Sequence, residues 1–175
     1  MSIRVLAAAV LAVCLSSSLF AEQVKVTGVH LCCGKCLKGV GTALTGVKGV
    51  SGAKCDKDNG IITFDATDAD AAKAGVAALA KAGYYGDAAM GDAKVAYPET
   101  GIAKDAKGNK VTISGVHLCC GGCITSAEDA LGAVKGVSKL SSDGASGTIN
   151  VEGTDVNLQA LLDALHGAGF HGSVK

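Results

Sequence analysis

The chain contains Gly28-Val29-His30-Leu31-Cys32-Cys33-Gly34-Lys35-Cys36 and repeats this motif as Gly115-Val116-His117-Leu118-Cys119-Cys120-Gly121-Gly122-Cys123. The similarity extends well beyond the cysteines, over residues 24–88 and 111–175, and includes Gly83-Tyr84 and Gly169-Phe170 near the end of each copy. A motif that returns together with its surroundings marks a duplicated structural unit. We therefore predict two copies of one small domain.

Each repeat has the apolar spacing of a small α+β domain. Leu37, Val40 and Leu44 follow the cysteines at helical intervals, which predicts a helix that begins at the last cysteine. Asp58-Asn59-Gly60 separates two short apolar runs and predicts a hairpin. The elements predicted for the first repeat are strand 25–30, the helix after the cysteines, strands 50–54 and 61–64, helix 69–82 and strand 84–88. The order βαββαβ, found twice, predicts two ferredoxin-like sandwich domains in tandem.

The chain divides into four segments at the sequence level. Residues 1–21 read as a signal peptide because Arg4 precedes a short apolar run and Ala21 precedes Glu22. The other segments are domain 1 at 22–89, a linker at 90–109 that holds the single proline, and domain 2 at 110–175. We expect cleavage after Ala21 and an exported protein, periplasmic or secreted, without stable membrane association. A lipoprotein acylated at Cys14 is the alternative to cleavage after Ala21.

Composition argues against nucleic acid as a partner. The 175 residues carry no net formal charge and are 49% hydrophobic but only 3% aromatic. Arg4 is the single arginine, so the mature chain would contain none. Guanine and phosphate recognition relies on the arginine fork, and binding of single strands relies on aromatic stacking. We therefore expect no nucleic-acid partner.

The cysteines are suited to a soft metal ion. Two cysteines three residues apart, at a turn from strand to helix, bring two sulfur atoms within reach of one ion. The helix N-terminus favours the thiolate form, and thiolates select Cu(I), Zn and heavier relatives over Mg or Ca. One Cys-x-x-Cys is a weak signal, but its recurrence in the same place of two repeats is a strong one.

Each repeat resembles the heavy-metal-associated domain of copper chaperones, metal-transporting P-type ATPases and the periplasmic mercury-binding protein. That family has a Cys-x-x-Cys pair after its first strand and a Gly-Tyr or Gly-Phe before its last. The resemblance implies a protein that is not an enzyme and that binds Cu(I), with Zn, Cd or Hg as alternatives. A transporter or another metal-binding domain is the implied transfer partner. The implied ligands are the family pairs, with the extra cysteines of the motif as further candidates: Cys33, Cys36, Cys120, Cys123, Cys32 and Cys119.

Several alternatives stay open at this level. The motif cysteines of an exported protein could form disulfides, and a thiol-disulfide oxidoreductase or redox-active thiol protein is the rival function. Against that rival, the residues between the thiols include no proline, and neither repeat has one that could sit beside the site. His30 and His117 are either surface residues or ligands. His166 and His171 are expected to be exposed near a helix end.

Overall fold

The computed structural model describes residues 21–174, so the predicted signal peptide lies outside the described residues except for Ala21. The elements, in chain order, are β1 (Glu22–Thr27), α1 (Gly34–Leu44), β2 (Val50–Asp56), β3 (Ile61–Ala66), α2 (Ala69–Lys81), β4 (Asp87–Met90), β5 (Ala93–Lys94), β6 (Lys107–Ser114), α3 (Gly121–Gly132), β7 (Val137–Asp143), β8 (Thr148–Asn157), α4 (Leu158–Gly167) and β9 (Ser173–Val174).

These elements form two antiparallel sheets, each with two helices. The strand order is β2-β3-β1-β4-β5 in the first sheet and β7-β8-β6-β9 in the second. The burial pattern of β3 shows that the helices cover one face of the sheet. Ile62, Phe64 and Ala66 are fully buried, whereas the residues between them are partly exposed. Alternation of this kind marks a sheet with one face in the core. The predicted α+β class with two ferredoxin-like domains is confirmed.

Two helices begin at polar caps that differ from those suggested by the sequence. Thr67 and Asp70 resemble a capping box, but Asp68 is the N-cap of α2 and accepts a hydrogen bond from the backbone N–H of Ala71. Asn157 caps α4 in the same way, accepting from the N–H of Ala160 at 2.8 Å. Each cap satisfies an N–H that the first helical turn leaves unpaired.

The element boundaries differ from the sequence prediction at two places. Helices α1 and α3 begin at Gly34 and Gly121, two residues before the last cysteine of each motif. The last strand of the first repeat begins at Asp87 rather than at residue 84, because the segment before it is used in a contact between the domains. Part of the predicted linker 90–109 is structured, since β5 pairs with β4 and β6 already begins at Lys107.

The two domains pack against each other through equivalent segments. Tyr84 and Phe170 form an antiparallel bridge. The N–H of His171 donates to the Gly83 carbonyl at 2.9 Å, and the N–H of Tyr85 donates to the Gly169 carbonyl at 3.2 Å. Because each repeat offers the same segment to the other, the arrangement is close to two-fold symmetric. It brings the two cysteine loops to the same side of the molecule.

Gly83 and Gly169 permit this close approach. Their φ angles are +86° and +84°, a region that L side chains rarely adopt. A Cβ on Gly83 would lie 2.7 Å from the Gly115 carbonyl oxygen and even closer to the His117 nitrogen. The Gly-Tyr and Gly-Phe sequences therefore hold the domains together as well as ending the helices. Within residues 21–174, no helix has the length and apolarity needed to cross a membrane.

Candidate metal centre

The cysteines occupy the first turns of two helices. Cys33 and Cys120 are the N-cap residues of α1 and α3, and both have extended backbones. Cys36 and Cys123 lie in the first turn of the same helices and are fully buried, whereas Cys32 is exposed. We call Cys33 with Cys36, and Cys120 with Cys123, the paired cysteines. Cys32 and Cys119, which precede the pairs, are the leading cysteines.

Packing of the domains brings both motifs into one cluster of sulfur atoms, the six-thiol cluster. Its members are Cys32, Cys33, Cys36, Cys119, Cys120 and Cys123, and all of them are free thiols. The structure thus brings together every metal ligand predicted from the sequence. Cys55, which is also free, lies in β2 outside the cluster and forms none of its sulfur contacts. Cys14 falls outside the described residues.

Contacts within and between the loops have similar lengths. Within each loop the sulfurs are 3.7 to 3.8 Å apart, including Cys33 to Cys36 at 3.8 Å and Cys120 to Cys123 at 3.7 Å. Between the loops the separation is 3.2 to 3.6 Å, and the shortest contact joins Cys32 to Cys120. A small shift of each side chain would allow several of these sulfurs to coordinate one ion.

The two N-cap thiols ionise most readily. The pKa of Cys33 is lowered to about 6, chiefly by the backbone N–H groups of Cys36 and Lys35 in the first turn of α1. The pKa of Cys120 is lowered for the same reason, with the N–H of Cys123 as the main cause. Hydrogen-bond donors at a helix N-terminus stabilise the negative charge of a thiolate.

The pKa values of Cys32, Cys119 and Cys123 shift in the opposite direction. Desolvation of the sulfur raises the pKa of Cys32 to about 12, although the residue as a whole is exposed, and it raises the pKa of Cys119 and Cys123 as well. Most contacts with neighbouring cluster thiols add to this effect, through hydrogen bonds that favour the neutral thiol and through charge repulsion, whereas the contact with Cys123 opposes it at Cys32 and Cys119. In each loop of the metal-free cluster the N-cap thiol is thus the one whose pKa is lowered, whereas a metal ion would have to displace the protons of Cys32, Cys119 and Cys123 in order to bind them.

His30 and His117 have different surroundings although they are equivalent in sequence. The ring of His117 packs on Tyr84, whose hydroxyl lies 3.1 Å from His117 Nε2 and donates to the Cys36 carbonyl at 2.8 Å. The ring of His30 stacks on Phe170, which has no hydroxyl, and His30 Nε2 is buried without a partner. A ring nitrogen of His30 also lies within 4.8 Å of two cluster sulfurs. His30 is therefore the histidine that could join the cluster.

A second group of rings at the domain interface was not expected from the sequence. His166 stacks on Tyr85 with ring centroids 3.8 Å apart, and His171 lies 5.4 Å from His166. Both histidines are half-buried, so the expectation that they are exposed is wrong. His166 and His171 are separated by only a few residues in sequence, but Tyr85, on which His166 stacks, belongs to the other repeat. The periodicity within either repeat therefore gives no sign that these rings meet.

The chain is similar to solved structures and, over part of its length, to one family model. Oxidized MerP from Ralstonia metallidurans CH34 is 29% identical to the chain with a TM-score of 0.35, and the alignment covers 38% of this chain and 94% of MerP. The N-terminal soluble domains of Bacillus subtilis CopA are 17% identical with a TM-score of 0.32, and 89% of this chain and 96% of that one are covered. No curated protein matches the chain. Residues 110–171 match the model of the heavy-metal-associated domain, which supports heavy-metal binding by this protein.

Proposed function

We propose that the protein is an exported, non-enzymatic binder of a soft metal ion, which it sequesters or passes on through its two cysteine loops. Cu(I) is the ion we expect, and Zn, Cd and Hg are the alternatives. The single observation that carries the proposal is the six-thiol cluster, which contains every predicted ligand and has sulfur as its donor atoms. Thiolates favour these ions over hard cations such as Mg or Ca.

The exposure of the cysteines is suited to transfer by ligand exchange. The leading Cys32 is exposed, and the N-cap Cys33 and Cys120 are partly exposed, whereas Cys36 and Cys123 are buried. An incoming ligand could reach the outer sulfurs first while the buried ones still hold the ion. We expect the partner to be a metal-transporting membrane protein or another metal-binding domain.

A titration of the reduced protein with Cu(I) against a competing chelator tests the proposal. We expect tight binding that is lost when the four paired cysteines are changed to serine. Cys55→Ser is the matched control, because it removes a free thiol outside the cluster and should leave the binding unchanged. Wild-type protein that fails to compete for Cu(I), Zn(II), Cd(II) and Hg(II) alike would contradict metal binding. Catalysis of disulfide exchange by the metal-free protein would favour the oxidoreductase alternative instead.

A further inference from the structure

The leading cysteines lie closer to the opposite domain than to their own partners. Each of the four sulfur distances that cross the domain boundary is shorter than each of the four within a loop. Cys119 is 3.6 Å from Cys33 and 3.5 Å from Cys36, the pair of domain 1. Cys32 is 3.2 Å from Cys120 and 3.4 Å from Cys123, the pair of domain 2.

Because each leading cysteine lies against the pair of the other domain, we propose that the chain binds two ions. Each ion is held by the paired cysteines of one domain and by the leading cysteine of the other. The inference rests on the proposed function and specifies its ligands. One site is formed by Cys33 and Cys36 with Cys119, and its counterpart by Cys120 and Cys123 with Cys32. The chemical class of ligand is a soft ion that accepts three thiolates.

The sulfur–sulfur distances are closer to those of a three-ligand trigonal site than to that of a two-ligand linear site. With a metal–sulfur bond of about 2.3 Å, a trigonal site needs sulfurs about 4.0 Å apart and a linear site needs them about 4.6 Å apart. In the domain 1 site the three separations are 3.5, 3.6 and 3.8 Å. Opening that triangle by a few tenths of an ångström accommodates a trigonal ion, whereas a linear site would require the pair to spread much further.

A site built within one loop is the competing arrangement. Cys119, Cys120 and Cys123 also lie within 4.8 Å of one another, so the leading cysteine could serve its own pair. The two arrangements differ in their consequences for the molecule. A third ligand from the other domain makes each ion a cross-link, so that metal binding stabilises the packing of the domains. A local third ligand would add no cross-link to the contacts that already join the domains.

Serine variants of the full chain distinguish the two arrangements. In a Cys33→Ser/Cys36→Ser background only the pair of domain 2 remains, and we expect one Cu(I) ion with three sulfur ligands by X-ray absorption. Adding Cys32→Ser should reduce the count to two and weaken binding at least tenfold. Adding Cys119→Ser, the matched control, should change neither. The reciprocal background, Cys120→Ser/Cys123→Ser, should reverse these roles and guards against one background that folds poorly.

The outcomes separate this inference from the proposed function. In the Cys33→Ser/Cys36→Ser background, the third sulfur ligand could be lost with Cys119→Ser instead of Cys32→Ser, or equally with both. Either result would show that the leading cysteine does not bind the ion of the opposite domain. The inference would also be overturned if Cu(I) had only two sulfur ligands in either double-serine background, before a leading cysteine is replaced. Cu(I) binding by the chain would still stand. If the wild-type chain binds none of the soft ions, the proposed function itself fails.

Discussion

Replacing Gly83 by alanine should loosen the domain interface on which the six-thiol cluster depends. The new Cβ would meet the Gly115 carbonyl oxygen at 2.7 Å, and that contact must lengthen to at least 3.4 Å to become ordinary. The atoms that it meets belong to the backbone of the other domain, so no side chain can rotate away. The domains must therefore move apart, and the hydrogen bond from His171 to the Gly83 carbonyl weakens with them.

The free energy of unfolding lost through crowding at the interface can be separated from the cost of placing alanine in the left-handed backbone region. Gly46 has a φ angle of +79° and open space where a Cβ would be added, so Gly46→Ala is the matched control. Both variants force alanine into the left-handed region at a cost of roughly 1 kcal/mol. Overpacking at the interface should cost Gly83→Ala a further 1–3 kcal/mol or so. That excess measures the packing of one domain on the other.

Denaturant unfolding and small-angle X-ray scattering of the metal-free protein provide the assay. We expect Gly83→Ala to lose more free energy of unfolding than Gly46→Ala and to have a larger radius of gyration. Gly169→Ala should behave like Gly83→Ala, because its Cβ would lie 2.6 Å from the Gly28 carbonyl oxygen. Equal stability and equal radius for Gly83→Ala and Gly46→Ala would refute the role assigned to this glycine.

Two further predictions concern the thiols and their neighbours. In the reduced, metal-free protein, alkylation across a pH series should label Cys33 and Cys120 first. The reason is that helix N–H groups lower the pKa of both thiols, and that of Cys33 to about 6. Labelling of another cluster thiol at lower pH would contradict this order. His30→Ala should weaken Cd(II) binding roughly ten- to hundredfold, as expected for a residue beside the ligands. His117→Ala removes an equivalent ring whose nitrogen is engaged by Tyr84, so equal losses in the two variants would show that His30 has no special role.

The sequence was sufficient for the local structure of each domain. Alternation in β3 and helical spacing after the cysteines follow from the burial of one face, which depends on residues close together in the chain. The repeat indicated that the same fold occurs twice. The proximity of the two sulfurs in each pair of cysteines was also predictable, because the Cys-x-x-Cys spacing places both on one helical turn.

Smaller features were decided by competition between neighbouring residues. Asp68 caps α2 although Thr67 stands beside it, and the carboxylate of Asp68 has a lowered pKa because it accepts the N–H of Ala71. In the second repeat β8 continues to Asn157, so that α4 opens there, although Thr154 and Asp155 just before it are also residue types that cap helices. Both kinds of residue are good caps, and their sequence neighbours do not rank them.

Local sequence patterns were enough to predict two α+β domains and the cysteines that we propose as metal ligands. The packing of the domains, in contrast, was needed to show that the two loops form one cluster and that Cys32 and Cys119 lie against the opposite pairs. The physical reason is that this packing depends on backbone contacts between residues far apart in the chain, such as His30 with Gly169. Each repeat carries the same local pattern whether it packs on its copy or remains separate, so no periodicity within a repeat records the interface between them.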